Sequence, residues 1–201
     1  MNSPEFLEIL NKYRAGAPTV AGANFRGHEL RIISGDDPLI FHLMDMPYAT
    51  PMCLGLARAT RLHKVVALEG DGNMLAGLPV LATIGRYQPE NLVIVVCDNQ
   101  SYASLGTTIA SATASAVDLE AVARACRIEK TRTVHDPQEA NESLARAFGE
   151  PGPWLIVAKV TDSGKMDERF RVPPMDIVEV GHLFQQALLS RLSMEIDPPE
   201  K

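Results

Sequence analysis

The chain lacks the features that would indicate a metal-cluster, disulfide-bonded or membrane protein. Its three cysteines, Cys53, Cys97 and Cys126, are far apart and form no Cys-x-x-Cys pair, which argues against a zinc or iron–sulfur site. No apolar run approaches the ~20 residues needed to cross a bilayer, and residues 1–14 have an amphipathic helix pattern rather than that of a signal peptide. We therefore expect reduced, buried cysteines and a cytoplasmic protein.

Concentrated positive charge and aromatic side chains are also scarce. The net charge is −6 and aromatic residues make up 5% of the chain, without a dense Lys/Arg stripe, so a nucleic acid is not an expected partner. With 201 residues, 46% of them hydrophobic, the chain is long enough for one well-packed domain and short for two. We predict one domain over residues 1–193 and a flexible tail over 194–201.

Short β-branched runs alternate with helical periodicity, which is typical of a parallel sheet covered by helices. We predict an α/β fold with three layers, in which a doubly wound, mostly parallel sheet has helices on both faces. The predicted strands are Thr19–Ala21, His63–Glu69, Leu92–Cys97, Glu129–Thr133 and Trp154–Val160. The predicted helices are Glu5–Arg14, Pro51–Arg61, Asn73–Tyr87, Asp118–Cys126, Pro137–Phe148 and Met175–Leu192. The second and third strands are apolar almost throughout, which favours a central position.

The most informative segment, Glu69-Gly70-Asp71-Gly72-Asn73, lies between a predicted central strand and the predicted helix that follows it. In an open parallel sheet this position is the carboxyl edge, where ligands bind. The two glycines allow the backbone to come close to a bulky anion, and the first turn of a helix offers unpaired N–H groups. The segment therefore predicts a phosphate-binding turn.

Asp71 would repel a bound diphosphate unless a cation lay between them. Mg²⁺ prefers oxygen ligands and commonly shares them between protein, phosphate and water. The end of the next strand offers Asp98-Asn99-Gln100-Ser101, and one crossover connection returns the chain to the same edge. Residues Asn99–Ala116 are rich in Ser, Thr, Ala and Gly, and this composition predicts a functional loop.

Other phosphate or metal motifs do not fit. A dinucleotide fingerprint would need a third glycine at position 75, and a Walker loop would need a following Gly-Lys-Ser/Thr. Glu69, Asp71 and Asn73 alternate like calcium ligands, but Met74 stands where the calcium loop needs glycine.

Gly70-Asp71-Gly72-Asn73, followed by Asp98-Asn99 after an apolar strand, resembles the cofactor-binding motif of thiamine diphosphate (ThDP) enzymes. The resemblance implies that Mg²⁺ is held by Asp71, the Asn99 side chain and the main-chain carbonyl of Ser101. It also implies that Gly70, Gly72 and Asn73 bind the diphosphate. Tyr102 and Ser104 come directly after, and either contact phosphate or substrate or serve the loop structure.

The likeness extends over most of the chain and is greatest to the sulfopyruvate decarboxylase β-subunit and phosphonopyruvate decarboxylase families. The segment from Asp45 to Pro51 resembles the one whose large apolar residue supports the bent cofactor, and Met46 takes that position. Two segments depart from the pattern. Pro47 replaces a usual glycine, and Gly22–Leu30 differs from the Thr/Gly/Ser-rich strand end of these families.

By this resemblance the chain is expected to be the diphosphate- and magnesium-binding subunit of a ThDP-dependent decarboxylase acting on a small 2-oxo acid. No catalytic residue is expected in this chain, because a pyrimidine-binding partner subunit would supply the activating Glu in an α2β2 or larger hetero-oligomer. The alternatives are a carboligase of the acetolactate synthase kind and a non-catalytic subunit that retains the fold. A 2-oxo acid:ferredoxin oxidoreductase β chain is disfavoured by the lack of clustered cysteines.

His28 and His42 adjoin loops that could border the site. Each is either a site residue or an ordinary satisfied or solvated histidine.

Overall fold

Six parallel strands form one sheet in the order β2-β1-β3-β4-β6-β5. A computed structural model describes residues 1–43, 45–102, 109–161 and 176–196. The strands are β1 Thr19–Ala21, β2 Ile40–His42, β3 Val65–Gly70, β4 Leu92–Asp98, β5 Lys130–Val134 and β6 Trp154–Lys159. The helices are α1 Ser3–Arg14, α2 Phe25–Ile33, α3 Ala49–Ala59, α4 Asp71–Ala76, α5 Pro79–Tyr87, α6 Leu119–Ala125, α7 Pro137–Gly149 and α8 Ile177–Ile196. The predicted α/β class is confirmed, and every strand pair is parallel.

The hydrophobic core has two halves, one on each face of the sheet. All seven residues of β4 are buried, as a strand covered on both faces requires. Alternate residues of β3 and β4 point to opposite faces, so Val66 and Val95 pack with α1 and α7 while Ala67 and Ile94 pack with α3, α5 and α6. This confirms the central position predicted for the two apolar strands.

The prediction was wrong about two stretches of the chain. It missed α2 and β2, because α2 has only one fully buried large apolar residue, Leu30, and β2 is three residues long. It also joined α4 and α5 into one helix, Asn73–Tyr87. α4 ends at Ala76, and the N–H of the next residue, Gly77, donates to the carbonyls of Asn73 and Met74. Pro79 then begins α5, at a position where a helix does not need the N–H that proline lacks.

The strand order reverses direction between β1 and β3. After β1 the chain adds β2 on one side, and it then crosses to add β3 on the other. In sheets of this kind the reversal opens a crevice at the carboxyl ends of the two strands, which is a preferred ligand site. Gly22, which follows β1, and Gly70, which ends β3, therefore mark the crevice.

Three predictions fall partly outside the described residues. Ser104, Met175 and residues 197–201 lie outside them, so the flexible tail stays a prediction, while α8 continues to Ile196.

The three cysteines are free; Cys53 and Cys97 are buried and Cys126 is half-buried. Among the described residues, no helix is both long and apolar enough to span a bilayer. The cytoplasmic location remains a prediction from the sequence.

Two helical glycines differ in the space beside them, and this gives a test of the packing. A Cβ atom on Gly85 in α5 would overlap the backbone carbonyl of Cys126, whereas one on Gly55 in α3 would meet nothing within 4 Å. We expect Gly85→Ala to lower the free energy of unfolding by about 1–3 kcal/mol through overpacking. Gly55→Ala should raise it by roughly 0.5–1 kcal/mol, since alanine favours the helix. Urea denaturation measures both, and equal changes would contradict this packing.

Candidate functional site

Two carboxylates emerge next to each other where β3 and β4 end. Gly70 pairs with Cys97 across the two strands, so Asp71 and Asp98 follow at the same edge. Both are buried, with exposed fractions of 3% and 1%. Asp98 makes an ion pair with Lys159 at the end of β6, whereas Asp71 makes none with the residues that the structure describes.

The loop after β4 returns to cover these carboxylates. Residues 100–102 run antiparallel to residues 109–111, with a bridge between Ser101 and Ala110. The return places Ser111 and Thr113 between the two acids. Ser111 Oγ donates to Asp71 Oδ2, and Thr113 Oγ1 lies 2.8 Å from Asp98 Oδ1 and 3.2 Å from Asp71 Oδ2. We call this pair of side chains, Ser111 and Thr113, the hydroxyl bridge.

The two acids and one base leave a net negative charge at this edge. Burial raises the pKa of Asp71; the hydrogen bond from Ser111 opposes the rise, and the nearby charge of Asp98 adds to it. A cation placed beside Asp71 would remove this electrostatic cost. In the described part of the chain, no cluster of three or more His, Cys, Asp or Glu could hold a metal ion. A metal here would therefore need amide, carbonyl or phosphate oxygens as well.

Asn99 and Ser101 lie on the same loop, directly after Asp98. Both are half-buried, and the Asn99 side-chain oxygen accepts a 3.2 Å hydrogen bond from the Ser101 N–H. The fold thus brings these two predicted metal ligands and the third, Asp71, to one edge of the sheet.

The crevice between β1 and β3 contains polar atoms without partners. Glu69 is buried, and its Oε1 accepts bonds from the N–H and hydroxyl of Thr50 at 3.0 and 2.9 Å. Within the described part of the chain, its Oε2 has no hydrogen-bond partner, and neither has the Nδ2 of Asn73 or Asn24. A Cβ on Gly22 would overlap Glu69 Oε2 and Asn73 Nδ2, and one on Gly70 would lie 3.3 Å from Asn24 Nδ2. Because both positions are glycine, neither places a side chain over the amide groups of Asn73 and Asn24, which have no hydrogen-bond partner among the described residues.

Glu69 is held in this crevice by a balance of burial and hydrogen bonding. Burial raises the pKa of Glu69, while the bonds from Thr50 and the nearby Asn73 amide favour the charged form. Asn73 does so without reaching normal hydrogen-bond geometry.

The remaining predicted cofactor residues lie around the rim. The Tyr102 ring packs on the backbone of Gly72, where a Cβ would be 2.5 Å from the ring. Met46 is 41% exposed and nearby Tyr48 is 58% exposed. Pro47 lies against Gly77, with 3.0 Å between its Cβ and a Cβ built on that glycine.

The two histidines form a pair at the far side of the crevice. Their ring centroids are 4.4 Å apart, edge to face. His42 ends β2 and pairs with Ala21, so it borders the carboxyl edge. Burial, and secondarily the charge of His28, lowers the pKa of His42 to about 4, and its Nε2 is buried with no hydrogen-bond partner among the described residues.

Sequence reasoning missed several residues of this site. A site role for Asn24, Glu69, Ser111, Thr113 and Lys159 follows only from the fold, which brings them together from four separate parts of the chain. One signal was available: a second acid, Asp98, beside Asn99 needs a counter-charge when buried.

Comparisons with known proteins give relatives over nearly the whole chain. Residues 27–158 match the family described as "Thiamine pyrophosphate enzyme, C-terminal TPP binding domain". The sulfopyruvate decarboxylase subunit beta of Methanococcus maripaludis is 28% identical over 92% of this chain and 96% of its own length. That of Methanocaldococcus jannaschii is 28% identical over 86% and 92%. The phosphonopyruvate decarboxylase of Streptomyces viridochromogenes is 32% identical over 88% of this chain but only 43% of its own.

Solved structures share the fold. The benzoylformate decarboxylase of Polynucleobacter necessarius superposes with a TM-score of 0.64 at 18% identity, covering 78% of this chain and 33% of its own. An enzyme of Mycobacterium smegmatis, described as thiamin diphosphate-dependent, gives 0.67 at 20% identity, covering 81% and 32%. At these identities the likeness is evidence for the fold alone.

The lowered pKa of His42 predicts a specific acid response. Because the folded value, about 4, is below the ordinary value of 6.5, the unfolded chain takes up the proton first. The contribution of His42 to stability is therefore lost as the pH falls from about 6.5 towards 4. NMR titration of the ring protons should give a midpoint near 4, and His42→Asn should flatten the stability curve in this range. A midpoint near 6.5 would contradict the burial of this ring.

Proposed function

Because this chain belongs to the family of C-terminal TPP-binding domains of thiamine pyrophosphate enzymes, we propose that it is the diphosphate- and magnesium-binding subunit of a ThDP-dependent decarboxylase acting on a small 2-oxo acid. The observation that carries this proposal is the excess buried negative charge of Asp71 beside a crevice with unpartnered amide donors. A divalent cation would neutralise the negative charge of Asp71, and a diphosphate would accept hydrogen bonds from the amide donors.

The metal would be held at the ends of β3 and β4. Asp71 supplies the charged ligand, and the Asn99 side chain and Ser101 carbonyl supply neutral oxygens. Mg²⁺ binds few protein groups and takes its remaining ligands from phosphate and water. This donor set of one carboxylate and two neutral oxygens fits that preference.

The diphosphate would lie along the turn Gly70–Asn73. The backbone of Gly70 and Gly72 allows close approach, and the amide of Asn73 has an unused donor. The Asn24 amide adds a second donor from the β1 side of the crevice. Met46 and Tyr102 would border the thiazolium end and the phosphate end of the site respectively.

The cofactor, when bound, supplies the electron sink that makes loss of CO2 from a 2-oxo acid possible. The residues of this chain bind and orient it. We assign Glu69 no part in activating the pyrimidine, because Thr50 fixes its Oε1 inside the diphosphate crevice. The activating Glu would come from a pyrimidine-binding partner subunit.

A partner surface is available around the site. Met46, Tyr48 and Ile109, on the two segments that flank the carboxyl edge, are 41%, 58% and 58% exposed. Large exposed apolar side chains grouped around a site are typical of an interface. Relatives named as subunit beta match this chain over nearly their full length. We therefore propose a hetero-oligomer, α2β2 or larger, with the cofactor between the two kinds of subunit.

The function is tested by reconstitution. The full chain is mixed with candidate partner subunits, and CO2 release is measured from 3-sulfopyruvate, 3-phosphonopyruvate and pyruvate, with and without ThDP and Mg²⁺. We expect cofactor-dependent release from 3-sulfopyruvate or 3-phosphonopyruvate, each of which carries a second anionic group besides its carboxylate. Tight cofactor binding without turnover of any 2-oxo acid would instead favour a non-catalytic subunit, and condensed products would favour a carboligase.

Substitution of Asp71 tests the metal site directly. Asp71→Asn keeps the shape but removes the charge, so we expect Mg²⁺-dependent ThDP affinity to fall by more than about 100-fold, beyond the cost of losing a supporting residue. Asp36→Asn is the matched control. Asp36 is exposed, pairs with Arg31 alone among the described residues, and has a left-handed backbone that asparagine accepts. Calorimetric titration gives both affinities, and equal affinities would remove Asp71 from the metal site.

A further inference from the structure

Thr113 is the side chain that joins the two buried carboxylates. Its Oγ1 lies 2.8 Å from Asp98 Oδ1, 3.2 Å from Asp71 Oδ2 and 2.8 Å from Ser111 Oγ. Both members of the hydroxyl bridge are buried, Ser111 at 3% and Thr113 at 6% exposure. Water is therefore a poor substitute for either hydroxyl.

One end of this network is firmly fixed. Asp98 accepts the N–H of Gln100 at 2.9 Å on the oxygen that contacts Thr113, and its other oxygen pairs with Lys159. Asp98 is thus held by β6 and by its own loop. A side chain that is hydrogen-bonded to Asp98 is therefore held in place as well.

At the Asp71 end of the network, there are more oxygen–oxygen contacts than hydroxyl hydrogens to form hydrogen bonds. Four short oxygen–oxygen contacts connect Ser111 and Thr113 with the two acids and with each other, but the two hydroxyls carry only two hydrogens. Two of these contacts therefore lack a hydrogen while both acids are charged. With Ser111 donating to Asp71 and Thr113 to Asp98, the contacts left without a hydrogen are those of Thr113 with Asp71 and with Ser111. A cation beside Asp71 would offset the repulsion between these oxygens.

We propose that Thr113, with Ser111, is a positioning residue that orients Asp71 towards the metal through the fixed Asp98–Lys159 pair. The inference rests on the proposed function, since it concerns the same metal site. It extends that site to the return segment 109–113 and to β6. Supporting residues of this kind typically set metal affinity by 10–100-fold without contacting the ion.

The test compares matched threonine variants in the full chain, assembled with its partner subunit where the wild type requires it. Thr113→Val keeps the volume and removes the hydroxyl, and Thr113→Ser restores it. Thr131→Val is the control, because Thr131 is also buried but its hydroxyl makes a single hydrogen bond among the described residues, at 3.4 Å to Glu120. Mg²⁺ is titrated at fixed ThDP, and the apparent metal dissociation constant is measured by calorimetry.

We expect Thr113→Val to weaken Mg²⁺ binding by about 10-fold, with Thr113→Ser and Thr131→Val within about twofold of the wild type. Ser111→Ala provides a second route should Thr113→Val fail to fold, and it should weaken Mg²⁺ binding similarly. Unchanged or tighter binding in a folded Thr113→Val or Ser111→Ala variant overturns the positioning role while the proposed function stands. A wild-type assembly that binds no ThDP with Mg²⁺ overturns the proposed function itself.

Discussion

The register between β3 and β4 is the constraint on which the candidate site depends. Six consecutive residue pairs from Val65 and Leu92 onwards bring Gly70 opposite Cys97, so that Asp71 at the start of α4 lies beside Asp98 at the end of β4. Because both strands are buried on both faces, a slip of one residue would move each side chain to the opposite half of the core, where its neighbours are different. The position of Asp71 relative to Asp98 is therefore set by the hydrophobic core, which need not adjust to a ligand.

Burying two carboxylates at one edge has an electrostatic cost, and the structure offsets only part of it. Lys159 compensates Asp98, and the hydroxyl bridge screens Asp71 without adding positive charge. A site left with a net negative charge in a low-dielectric environment favours the state in which a cation is bound. Folding and ligand binding are then linked, because whatever binds the native edge also stabilises it.

Much of this arrangement could be predicted from the sequence, and the exceptions have physical reasons. The apolar runs of β3 and β4 and the Gly-Asp-Gly turn are local signals, so the fold class and the region of Asp71 and Asn99 follow from pattern alone. The crevice partners do not. Asn24 precedes a helix whose weakly apolar pattern hides it, and Thr113 acts through contacts to residues 15 and 42 positions away. Contacts between residues so far apart in the sequence produce no periodic pattern from which they could be predicted.

The break between α4 and α5, which the apolar pattern concealed, also explains how the unusual Pro47 is accommodated. Gly77 ends α4 and leaves the space that Pro47 fills, so a continuous helix through this point would crowd the ring. A few residues later, Thr50 is bonded to Glu69 at the end of β3. The segment that carries Met46 is therefore attached at two points to the same β3–α4 unit that carries Asp71. Residues proposed to support the cofactor at one end and its metal at the other are thus linked through direct contacts with the same part of the fold.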